Sequence, residues 1–157
     1  MMNLNNSSMP LSKTANRLSL AFLVVAFLGF VDATYLTIHH YIDVPLPCTI
    51  LNGCDVVTTS AYSAIGPIPI AALGAAYYAI VFFGLLLYRE TGNKVCVRAT
   101  GAIVALAFAV SAWLVYLQGF VLHSWCQYCI VSAVFTTILF ALVGVLIFWE
   151  NTEHTIN

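Results

Sequence analysis

The sequence predicts an all-α membrane protein, a four-transmembrane-helix bundle with a long loop between its first two spans. Three observations predict it. Of 157 residues, 62% are hydrophobic and 7% charged, where a soluble domain carries about 25% charged residues. The apolar residues come in continuous runs rather than in alternation, which favours helices over a barrel. The five Lys and Arg residues fall outside those runs. A net charge of −1 leaves no basic field for nucleic acid.

The elements follow in order. Residues 1–17 read as a polar tail, with Asn3, Asn5, Asn6, Ser7 and Ser8 in its first half. The first span covers about 18–41 and reads as a membrane helix, not a signal peptide, because it is long and lacks a clear cleavage site. The loop 42–69 is fenced by Pro45, Pro47, Pro67 and Pro69. Within it, 55–65 reads as a short helix lying on the membrane as a lid, with Asp55 as N-cap. The second span covers 70–88, where Ala71, Ala72, Gly74, Ala75 and Ala76 mark a close helix contact. Residues 99–149 contain no Asp, Glu, Lys or Arg. As one helix they would extend about 75 Å, against a hydrocarbon core of about 30 Å, so they cross twice. The turn belongs at the most polar point, Gln118 to Gln127, giving spans over 100–122 and 126–149 and a tail over 150–157.

Lys13 and Arg17 precede the first span, and Arg89, Lys94 and Arg98 lie between the second and third. The positive-inside rule puts this side, with both termini, in the cytoplasm. Cys48 and Cys54 then lie in the outer loop, Cys126 and Cys129 at the outer end of the fourth span, and Cys96 alone inside. Two pairs face the side where disulfides persist. Cys126 and Cys129 are spaced i, i+3 and share a helical face. A helix N-terminus favours the thiolate of Cys126. One thiol toward water and one toward the membrane suits electron transfer from an aqueous thiol to a lipid-soluble acceptor; a structural disulfide is the alternative. Between Cys48 and Cys54, Asn52-Gly53 is a turn signal that lets the sulfurs meet, for exchange or as a staple.

Cys48-x5-Cys54, Ser60, "IGPIPIAALGAAYY" (65–78), "WCQYCIVSA" (125–133) and "DATYLTIHHY" (32–41) together resemble the bacterial branch of the vitamin K epoxide reductase family. The resemblance covers about 18–149. It implies a four-helix bundle around a quinone site, capped by the loop. It implies a membrane thiol-disulfide oxidoreductase that oxidises an extracytoplasmic thioredoxin-fold, DsbA-like partner and reduces ubiquinone or menaquinone in the bacterial inner membrane. Cys126 and Cys129 would form the quinone-side centre, Cys48 and Cys54 the shuttle pair, and Ser60 would orient the cap. Either loop cysteine remains open as the one that meets Cys126. No metal is expected.

Two departures favour plain quinone reduction over epoxide reduction. The vertebrate branch has a Tyr where Ala133 stands, and an Asn before a Gly where "IAALG" (70–74) offers no amide. Many bacterial members carry a fused thioredoxin-like domain, so a chain ending at Asn157 is expected to use a separate thiol protein. The DsbB type of oxidase carries its two pairs in the opposite order. A metal-binding or transport protein is the other alternative, since four outer thiolates with His123 suit Zn²⁺ or Cu(I). No Cys/His/Met relay crosses the spans toward Cys96, which weighs against transport.

Further candidates are single residues. Asp32, an acid inside the first span, is a candidate for quinone protonation, or makes an interhelical hydrogen bond. His123 shares the helical face of Cys126 and Cys129 and would stabilise a thiolate there, or is a turn residue at the headgroups. His39 and His40 read as interfacial. Tyr62, Tyr77, Tyr78 and Phe82 are ring contacts for a quinone, or packing.

The charge distribution sets a topology prediction. A maleimide that cannot cross membranes is expected to label Cys96 only after permeabilisation, and Cys48 from outside once reduced. Labelling of Cys96 in intact cells overturns the orientation.

Overall fold

Among the described residues, four helices are long and apolar enough to cross a membrane, Thr14–Ile42, Ile70–Thr91, Lys94–Val121 and Gln127–Phe148, and the chain is a multi-pass membrane protein. The computed structural model describes residues 13–42, 46–51 and 53–156. The tail expected over residues 1–12, the fence residue Pro45 and the Asn52 half of the turn signal lie outside the described residues.

α1 (Lys13–Ile42) rises to the loop end of the bundle. α2 (Cys54–Thr58) lies in the loop. It is shorter than the helix expected over 55–65, because the chain after it turns into a two-stranded hairpin. β1 (Ala64–Ile65) pairs antiparallel with β2 (Ile68–Pro69). Pro67 and Pro69 lack the N–H groups that a continuing helix would use. Asp55 does not cap α2: Gly53 holds the N-cap position, and the Asp55 carboxylate instead accepts Leu46 N–H at 3.3 Å.

α3 (Ile70–Thr91) returns to the terminal end. Gly92 stops it with φ 63°, a left-handed position that a Cβ would strain. Its N–H reaches Tyr88 O at 2.8 Å. Asn93 then caps α4 (Lys94–Tyr116), its Oδ1 accepting Val95 N–H at 2.9 Å. The third helix thus starts several residues before the apolar run that predicted it near residue 100. The Asn93 cap starts the helix outside the apolar stretch, and hydropathy detects only the latter. A π-helical turn (Leu117–Val121) extends α4, and α5 (Gln127–Ile156) descends.

α1 packs on α3 and α5, and α4 packs on α3 and α5, so the four helices close into a ring. One core cluster fills the ring toward the terminal end, around Phe22, Val81, Leu85, Val104 and Leu139. A second, around Leu36, Leu46, Cys54 and Cys126, sits under the loop. Helices in lipid gain little from burying apolar surface against each other, so packing and interhelical hydrogen bonds carry the association. Tyr78 supplies such a bond. Its buried hydroxyl donates to Ser132 O at 2.8 Å, with Ser132 Oγ and Thr136 Oγ1 at 3.0 and 3.1 Å, joining α3 to α5.

Tyr78→Phe removes that donor and leaves the α5 groups with fewer partners. It is expected to cost about 1–2 kcal/mol, read as a lower midpoint in detergent denaturation. An unmoved midpoint overturns the assigned role.

Candidate functional site

The site starts from the way the chain enters α5. After the π-helical turn the backbone reverses through Leu122–Trp125. Leu122 N–H donates to Leu117 O at 2.9 Å and Ser124 N–H to Gln118 O at 3.0 Å. The side chain of Gln118, buried among apolar helices, accepts Cys126 N–H at 3.0 Å. Cys126 O in turn accepts Ile130 N–H at 3.1 Å. Cys126 therefore stands at the N-cap of α5, where a side chain meets the free N–H groups of the next residues. Its sulfur takes that place, receiving the N–H groups of Tyr128 and Cys129 and the Cys129 thiol.

These contacts, the Cys129 thiol first, hold the Cys126 thiol down from the ordinary 9.0 to about 7, against burial and the Asp32 charge, which push it up. Both thiols are free of disulfides, and Cys126 is fully buried.

His123 does not share the face of this pair. The helical register begins at Gln127, so residues 123–126 follow no helix, and His123 is exposed at φ 49°.

The loop lies against the same entry. Cys48 and Cys54 form a disulfide with Cα atoms 6.1 Å apart. Cys54 is 1% exposed and belongs to the cluster containing Cys126, whereas Cys48 is half-buried. Gly53 allows this approach: a Cβ there would lie 2.7 Å from Trp125 N and 2.9 Å from Trp125 O. Side chains tie the layers together. Ile50 N–H donates to Gln127 Oε1 at 3.1 Å and Tyr128 OH to Pro47 O at 3.1 Å. Ser60 Oγ donates to Val57 O at 2.8 Å, and Ser60 O accepts Ser63 Oγ at 2.8 Å, which folds the chain beyond α2 over the bundle.

Beneath this cap a cavity of about 440 Å³ opens between the four long helices. Ala33 and Leu36 of α1, Gly74 and Tyr77 of α3, Leu106 and Val110 of α4, and Cys129 and Ala133 of α5 line it, with Val57 and Ser60 from the cap. Cavities of about 300–1,000 Å³ with apolar walls and few polar groups hold small organic molecules. The Tyr77 hydroxyl on this wall is buried without a partner. A quinone fits this chemistry: a flat apolar ring for the walls and a ketone oxygen for an unused hydroxyl. Tyr62 and His40 also line the cavity, whereas Phe82 packs against the core cluster. Asp32 is not on the cavity wall. It lines a separate shallow groove with Leu28, Tyr35, Tyr128 and Phe135, which takes it away from the quinone-facing position considered above.

Gln118 was legible only as a polar residue near a turn. Its amide in a charge-free stretch, eight residues before Cys126, was the available signal for an anchor. Among the described residues, no group of three His, Cys, Asp or Glu side chains is placed to hold a metal ion.

The family model described as the vitamin K epoxide reductase family matches residues 20–144. No curated protein matches the chain.

The capping geometry predicts a titration. In a Cys96→Ser background with the loop disulfide intact, ultraviolet thiolate absorbance is expected to show Cys126 ionising near pH 7, following its position at about 7. Cys129→Ala removes the largest stabilising contact and leaves the burial, so the midpoint is expected to rise. A midpoint that stays in place overturns the assigned cause.

Proposed function

Because this chain belongs to the vitamin K epoxide reductase family, we propose that it oxidises a thioredoxin-fold, DsbA-like protein outside the cytoplasm and passes the electrons to a membrane quinone, ubiquinone or menaquinone. Family membership supports the coarser reading, a membrane thiol-disulfide oxidoreductase that acts with a quinone. The observation that carries the finer one is the order of sulfurs from surface to cavity. Cys48 is half-buried, Cys54 and Cys126 share one buried cluster, and Cys129 lies on the cavity wall. We further infer that the loop end faces the outside of a bacterial inner membrane and that both termini are cytoplasmic, as the basic residues direct.

The relay then runs by thiolate exchange. A partner thiolate attacks Cys48, forming a mixed disulfide and releasing Cys54 as thiolate. The partner's second thiolate breaks that bond, leaving the partner oxidised and Cys48 reduced. Cys54, held beside Cys126, attacks the Cys126–Cys129 disulfide at Cys126 and releases Cys129. Cys48 then attacks Cys54, which restores the loop disulfide and frees Cys126. The result has the loop pair oxidised and the helix pair reduced, the arrangement of cysteines described above. A quinone in the cavity supplies the sink for two electrons and two protons as the Cys126–Cys129 bond re-forms. Cys129 is the thiol that faces it, Tyr77 offers a hydroxyl, and Ser60 keeps the cap over the mouth.

Quinone reduction is expected to vanish in Cys126→Ser and Cys129→Ser. It is expected to persist slowly with dithiothreitol, but not with a protein donor, in Cys48→Ser and Cys54→Ser. Cys129→Ser combined with Cys48→Ser, which removes both thiols able to resolve it, is also expected to trap a Cys54–Cys126 bond on mild oxidation. Cleavage at the Gly92–Asn93 turn then leaves two fragments joined until reduced. Fragments that separate without reductant sink the relay, and a cross-link that forms instead in Cys129→Ser with Cys54→Ser reverses the order of the loop pair.

A further inference from the structure

Closing a dithiol to a disulfide releases two protons with its two electrons. Under an apolar cap the thiolate formed on the way has no water to balance its charge. On the oxidoreductase reading above, the Cys126/Cys129 pair must hand those protons on.

Asp32 lies in α1 about 15 Å along the helix from Ile42, inside the membrane-spanning stretch. One of its carboxylate oxygens is buried with no hydrogen-bond partner. A buried acid in that state is costly, and its default reading is functional. Its neighbours on α1, Ala33 and Leu36, face the cavity, while Asp32 lines the groove formed with Tyr35, Tyr128 and Phe135. The acid and the cavity therefore occupy separate sites, but Tyr128, which shares the groove with Asp32, directly precedes Cys129 in the first turn of α5.

From Asp32 a line of exchangeable groups leads to the loop end. Asp32, Tyr35 and His39 fall at i, i+3 and i+7, one stripe of α1. The Tyr35 ring centroid is 4.4 Å from that of His39 and 5.3 Å from that of Tyr128. Tyr128 OH reaches the loop at Pro47.

We propose that Asp32 is the proton-coupling group of the Cys126/Cys129 pair, taking up a proton as a thiol becomes a thiolate and exchanging it with the loop-end surface along Tyr35, Tyr128 and His39. The balance is simple. A thiol and a carboxylate become a thiolate and a carboxylic acid, and the buried site keeps one negative charge throughout. The electrons leave toward the cavity and one proton toward the groove, and the quinone draws an equal proton from water at the loop end, so that dithiol and quinone become disulfide and quinol.

The test uses the full chain with Cys48→Ser, Cys54→Ser and Cys96→Ser, so that only Cys126 and Cys129 titrate. Ultraviolet thiolate absorbance and dithiothreitol-driven reduction of a short-chain ubiquinone are followed against pH. Removing a negative charge favours the thiolate. Asp32→Asn is therefore expected to lower the first thiolate midpoint by about half a pH unit or more. It is also expected to slow quinone reduction about tenfold below that midpoint, with recovery above it. More thiolate with slower turnover at low pH is an outcome that a purely structural role does not produce. Tyr35→Phe combined with Tyr128→Phe, which spares the acid, is expected to slow the same pH range and leave the midpoint unchanged. An unmoved midpoint in Asp32→Asn, or an equal loss of rate at every pH, overturns the proposal. Full rates in the double Phe variant overturn the route. If the parent protein reduces no quinone, the oxidoreductase reading fails instead, and the absorbance titration still judges Asp32.

Discussion

The first turn of a helix has N–H groups with no partner inside the helix, and at the edge of an apolar bundle they must be satisfied locally. At the head of α5 the satisfying atom is the sulfur of Cys126. Most helices use an oxygen there. A sulfur accepts these bonds best as a thiolate, so the demand that caps the helix also activates the thiol. Gln118 holds the Cys126 N–H from the preceding turn, and Gln127 holds the loop through Ile50 N–H. One backbone requirement thereby fixes the cysteine pair, the π-helical turn before it and the loop above it.

The loop depends on that anchor in turn. Gly53 lets its backbone rest on Trp125, and the disulfide to Cys48 restrains Cys54 from six residues away. The short α2, started at Cys54 and folded back by Ser60, then roofs the cavity. A longer helix over the same stretch would run past the mouth instead of turning over it. The proline-rich hairpin that stops α2 is therefore part of what shapes the cavity, although it carries no chemistry of its own.

The bundle divides the work between two faces of α1. Ala33 and Leu36 face the cavity with Cys129, and Asp32 and Tyr35 face the groove with Tyr128. An ionisable group on the cavity side would sit against an apolar ring system. On the groove side it leaves free the space a ligand needs. The unpartnered Tyr77 hydroxyl and the saturated Tyr78 hydroxyl divide in the same way between adjacent residues, one turned to the cavity and one to the α5 contact.

The sequence by itself determined the four spans, because run length against bilayer thickness leaves little freedom, and it determined the grouping of the cysteines into two pairs on one side. It located helix ends less well. Asn93 and Gly92 begin and end helices through hydrogen bonds and φ angles, which hydropathy does not register. Only the tertiary structure decided the rest. His123 left the cysteine face because a turn, not a helix, precedes Cys126. Cys54 lies deeper in the buried cluster than Cys48 because Gly53 meets a backbone more than seventy residues away. Asp32 took the groove rather than the cavity because α1 is apolar nearly all round, so its sequence carries no sign of which face meets which neighbour. Spans follow from the solvent each residue requires, and that is written locally. Faces follow from which helix lies beside which, and that is settled only when the ring closes.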